Sequence, residues 1–84
     1  MANKKKRNPT EETLTGIITP VEWDNYQVIE VALSATDDEL YLIENGDKFL
    51  DLVQTCIQAT GRVTRDRKII RTIRIKRFNI IEDF

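Results

Sequence analysis

The sequence predicts a mostly β domain of five strands, with one short α-helix between the third and fourth. Three observations carry this reading. Apolar and polar residues alternate with period two in several short runs rich in β-branched side chains. Turn chemistry separates those runs, at Pro20, Asp24-Asn25, Asp37-Asp38 and Asn45-Gly46-Asp47. Only KFLDLVQT, with Phe49, Leu50 and Val53, spaces its apolar residues as a helix would.

The first strand is LTGIITPV, Leu14 to Val21, where Gly16 marks a bulge or a close backbone approach. Pro20 lacks an N–H, so the strand is expected to end there. After the Asp24-Asn25 turn, alternation from Tyr26 puts Ile29, Val31 and Leu33 on one face and Glu30, Ala32 and Ser34 on the other. Ala35 to Asp38 turns the chain into a third strand, Glu39 to Glu44, with Leu40 and Leu42 sharing the core face. Asp47 is placed to cap the short helix, which is too short to persist without packing. The fourth strand runs from Cys56 to Thr64 around Gly61. RDRK forms a hairpin tip, and the fifth strand spans Ile69 to about Phe78, with a bulge near Arg77-Phe78. TGIIT at 15–19 echoes TGRVT at 60–64, as if two strands met similar backbone demands.

This order resembles the OB-fold, a five-stranded Greek-key barrel with a helix between strands three and four. The residues that carry the resemblance are the Gly16 strand, Ile29–Leu33, Leu40–Ile43, the Phe49–Val53 stripe, and the Gly61 and Ile73–Ile75 strands. It covers residues 13–81 as an architecture and rests on no motif. It implies that strands one and four lie side by side, and that strand five borders strand three. An SH3-like barrel and a small α+β sandwich are the competing assignments.

With 84 residues, 40% hydrophobic and 32% charged, the chain suits one small domain, which must use nearly every apolar strand residue in its core. Residues 1–11 read as a disordered basic arm and residues 12–84 as the domain. No apolar run is long enough to span a membrane. The MANKKKRNPTEE start lacks the apolar stretch of a secretory signal, so a cytoplasmic location is expected. There is one cysteine, Cys56, no histidine, and one serine, Ser34. That removes internal disulfides, Cys/His zinc sites and His-dependent triads, and no catalytic role, cofactor or metal is expected. Asp37-Asp38-Glu39 matches no calcium loop and reads as a solvated tip.

Net charge is −1, but it is unevenly distributed. Residues 11–55 carry eleven acids against Lys48 alone, while residues 56–84 carry eight basic groups against three acids. Such asymmetry marks either a nucleic-acid partner or two halves that complement each other. In the first case Arg65, Arg67, Lys68, Arg74 and Lys76 would follow the phosphates of single-stranded DNA or RNA. Trp23 or Tyr26 would stack on bases, and Lys4–Arg7 would add sequence-independent attraction. In the second, the strand-five cations meet Glu39 and Glu44 on strand three, and Trp23 caps the core. The alternative function is a protein contact through the strand 2–3 face, using Tyr41, Ile43 and Glu30.

Overall fold

The computed structural model describes residues 10–66 and 69–81. Five strands form one closed sheet: β1 (Thr10–Asp24), β2 (Gln27–Ala35), β3 (Leu40–Ile43), β4 (Cys56–Asp66) and β5 (Ile69–Ile80). Their order is β1-β2-β3-β5-β4, returning to β1. The expected neighbours are present, β1 beside β4 and β3 beside β5, the latter pair parallel. No helix among the described residues is long and apolar enough to cross a membrane.

β1 is longer than its sequence suggests because both of its edges are used. Thr10–Ile17 pair with β4 and Gly16–Asp24 pair with β2. Thr10 and Glu11, assigned above to the disordered arm, therefore begin the strand; residues 1–9 lie outside the described residues. Pro20 does not end β1. It sits at a register shift between Pro20 and Glu22, where a missing N–H is tolerated.

At the overlap of the two ladders stands Gly16, opposite Ala35 on one side and Ile57 on the other. A Cβ here would fall onto the Ser34 carbonyl oxygen and 2.8 Å from the Ala35 Cα. Gly61 is in the same position opposite Ile75, where a Cβ would strike the Arg74 carbonyl. The echoed TGIIT and TGRVT segments thus meet one shared demand, a neighbouring strand's backbone in the space of a side chain. The anticipated bulge also lies here. Thr60 pairs with Arg77 and Gly61 with Ile75, leaving Lys76 as the extra residue.

The core is made by inward residues from all five strands, among them Ile18, Val31, Leu33, Ala59, Val63, Ile73 and Ile75. Each large aliphatic side chain buried in this way contributes about 1.5–3 kcal/mol. Two expectations about its lining need correction. Ile29 is 48% exposed, because it lies on the part of the β1–β2 hairpin that runs beyond the closed sheet. β3 presents Tyr41 and Ile43 inward, at 0% and 3% exposure, while Leu40 stays 44% exposed. The register decides this: Tyr41 lies opposite the inward Leu33, and directly opposed residues share a face.

The expected α-helix is instead two 3-10 turns, Gly46–Lys48 and Leu50–Leu52. Asp47 falls inside the first turn, and no side chain caps it. The preceding Asn45 is engaged elsewhere. Its Nδ2 donates to the Ile75 carbonyl at 2.9 Å, and its Oδ1 accepts from the Ile75 N–H at 3.0 Å. That amide continues the short β3–β5 seam past Ile43, and an uncapped segment this short cannot offset helix nucleation. The stripe still packs: Phe49 is buried and Leu50, Leu52 and Val53 lie against the core.

Backbone atoms cannot yield as a side chain can, so Gly16→Ala and Gly61→Ala are each expected to cost about 3 kcal/mol. Urea unfolding monitored by circular dichroism measures this. A loss comparable to an exposed-strand Thr→Ala change would show that the two close approaches are not structural requirements.

Candidate functional site

The outer face of β1, β4 and β5 is built in three rungs. Register places Glu11, Arg62 and Arg74 in one row, Thr13, Thr60 and Arg77 in the next, and Thr15, Gln58 and Asn79 in the third. Lys76 projects from the bulge between the first two rows. Every side chain in these rows can donate or accept a hydrogen bond, and Thr13 Oγ1 and Thr60 Oγ1 lie 2.8 Å apart.

Charge on this face is unbalanced. Lys76 Nζ donates to Glu11 Oε1 at 2.8 Å, and Arg77 Nη2 lies 3.8 Å from Glu11 Oε2. Lys76 first, then Arg77 and Arg62, hold the Glu11 carboxyl below its ordinary pKa. One carboxylate therefore faces several cations. Arg62 and Arg74 lie directly opposite each other across β4 and β5, and among the described residues neither forms an ion pair. Like charges so placed destabilise a sheet, and Glu11, opposite Arg62 on its other side, offsets this only in part. Beside them Arg62, Arg74, Ile75 and Lys76 line an open cleft of about 240 Å³.

Arg65 does not belong to this face. Although exposed in part, it is the most fully engaged cation described. Its Nη1 and Nη2 donate to the two Glu12 oxygens at 2.6 and 2.9 Å, and Nη2 also donates to the Tyr41 hydroxyl at 3.0 Å. The guanidinium stands 5.4 Å from the Tyr41 ring centre, and the Tyr41 hydroxyl donates to Asp37 Oδ2 at 2.8 Å. This network satisfies the polar end of a buried tyrosine at the rim of the sheet. Arg65, expected to hold phosphate, is thus already committed to Glu12 and Tyr41. Arg67 and Lys68 lie outside the described residues.

Of the expected residues, Arg74 and Lys76 share the β4–β5 face, and the others do not join them. Trp23 and Tyr26 are exposed at the tip of the β1–β2 hairpin, and Trp23 lies about 40 Å of extended strand from Glu11. Their neighbours Glu22, Asp24 and Glu30 are acidic. Tyr41 and Ile43 are buried, so the expected outward protein contact through them is not available. Glu30 instead lines a shallow acidic cleft with Ile29, Ile43, Glu44, Gly46 and Asp47. The anticipated pairing of strand five with strand three is realised in part: Arg71 meets Glu39 at 3.2 Å, and Thr72 donates to Glu44 at 2.9 Å.

Arg62 and Arg77, which lie on this face, were not among the expected residues. Arg62 carried a readable signal, since it alternates with Gly61 and Val63 and must face outward. Its apposition to Arg74 depends on the bulged register, which local pattern does not disclose.

The bidentate Arg65 pair, followed by the Thr10 hydroxyl, lowers the Glu12 pKa to about 2. A carboxyl with a depressed folded pKa stabilises fully above its unfolded value and loses that stabilisation as pH falls through the folded one. The stability difference between wild type and Glu12→Gln, about 1 kcal/mol after screening at a rim position, should shrink steadily between about pH 4.5 and 2. Paired urea titrations measure it, and a pH-independent difference would contradict the assignment. No family model, no curated protein and no solved structure matches the chain.

Proposed function

We propose that the chain is a non-catalytic, single-stranded nucleic-acid-binding module of the OB type. In this reading it holds the phosphate backbone on the outer face of β4 and β5. The carrying observation is the Arg62–Arg74 cross-strand pair, which costs the free fold stability and which a bridging anion would relieve. Lys76 and Arg77 add charge, and Thr13, Thr60, Gln58 and Asn79 add hydrogen-bonding groups along the same rungs. The adjacency of β1 with β4 and of β3 with β5 supports the OB reading.

The strand 2–3 side, where OB modules commonly take their ligands, would repel phosphate here, because Glu30, Glu44 and Asp47 line it. In this reading the ligand face is accordingly displaced from β2–β3 to the outer face of β4 and β5. With affinity drawn from phosphates, binding weakens steeply with salt and shows little sequence preference.

Anisotropy of a labelled oligonucleotide of about six nucleotides, titrated at several salt concentrations, tests this. Arg62→Thr/Arg74→Thr should weaken binding at least tenfold and flatten the log–log salt slope by about 1.4, two phosphate contacts' worth. With the protein dilute enough to be monomeric, Trp23 emission should stay constant, since the tip lies far from the face. Absence of binding at low salt, or an unchanged slope in the double variant, would overturn the reading.

A further inference from the structure

The β1–β2 hairpin runs beyond the closed sheet and exposes Val21, Trp23, Tyr26 and Ile29, at 36%, 55%, 101% and 48%. They are four of the seven large apolar side chains that the described residues expose, concentrated in nine consecutive positions. The turn has positive φ at both central residues, Asn25 at 53° and Tyr26 at 67°. Asparagine suits that conformation, but a bulky side chain does not, and glycine is the residue a hairpin of this kind favours. Tyr26 is fully exposed, so its ring gains no burial in the monomer to offset that strain. The fold alone gives no reason for this tyrosine.

The tip also carries its own like-charge pair. Glu22 lies opposite Glu30 across β1 and β2, with Asp24 beside the turn. It is the negative counterpart of Arg62 opposite Arg74 on the far part of the same molecule. Two tips would repel each other, whereas a tip and a β4–β5 face match in charge. The cleft of about 240 Å³ between Arg62, Arg74, Ile75 and Lys76 has room for an aromatic ring beside guanidinium groups. The chain already contains this chemistry, where Arg65 lies over the Tyr41 ring and grips Glu12.

We propose that the β1–β2 tip of one copy docks, through Tyr26 and Trp23 with Glu22, Asp24 and Glu30, into the cationic β4–β5 face of a second copy. The contact is head to tail, so it leaves a free tip and a free face at the ends and extends into an open chain or closes as a ring of three or more copies. It does not depend on nucleic-acid binding, although the two would compete for Arg62 and Arg74.

Sedimentation velocity on the full chain, from micromolar to millimolar concentration at low salt, tests the contact. Species larger than a dimer are expected, dispersed by added salt. A tip variant, Trp23→Ser/Tyr26→Gly, and a face variant, Arg62→Thr/Arg74→Thr, should each remain monomeric. An equimolar mixture of the two should stop at a heterodimer, because only one productive contact survives. Tyr26→Gly alone should raise Tm by about 4 °C, which separates lost docking from lost folding. A wild-type monomer throughout, a dimer that grows no further, or variants that associate as wild type would each overturn the proposal.

Discussion

Two backbone-on-backbone approaches, at Gly16 against Ser34 and at Gly61 against Arg74, set the geometry on which the rest of the molecule depends. They let β1 serve β2 and β4 at once and let β4 fold tightly against β5, so that five strands close around a small core. Closure has a thin point at the parallel β3–β5 seam, where the ladder has only two register pairs. Asn45 reinforces it by giving its side-chain amide to the Ile75 backbone. The same commitment leaves the next segment uncapped, and 3-10 turns stand where a helix was expected.

Closure also sorts the charges. Acids from β2 and the turn after β3 gather on one side, while cations from β4 and β5 gather on another. The cations at the sheet rim are neutralised: Arg65 by Glu12 and Arg71 by Glu39. On the outer face Lys76, Arg77 and Arg62 share Glu11. Two departures from good sheet chemistry remain, Arg62 against Arg74 and Glu22 against Glu30. Local conflicts that a fold does not need are where binding surfaces are expected.

Much of the architecture was legible because period-two alternation and turn residues are local signals. Five strands, the Gly16 approach, the inward Ile73 and Ile75, and a bulge close to Arg77 could all be read in this way. The face of β3 could not, since LYLI is apolar at both parities and only pairing with Leu33 sends Tyr41 inward. The engagement of Arg65 was hidden for a similar reason, because its partner Glu12 is fifty-three residues away. Counting basic residues pointed to this hairpin, with Arg74 and Lys76 among its cations, but could not show that Arg65 is engaged at the rim or that Arg62 stands opposite Arg74.

The most direct test of the central claim is a ¹H–¹⁵N correlation spectrum of the protein, diluted enough to be monomeric, titrated at low salt with a short single-stranded oligonucleotide. Shifts should concentrate at Thr60, Arg62 and Arg74–Arg77, with Glu30, Glu44 and Asp47 unmoved. Shifts centred on the β2–β3 side, or none at all, would contradict the account.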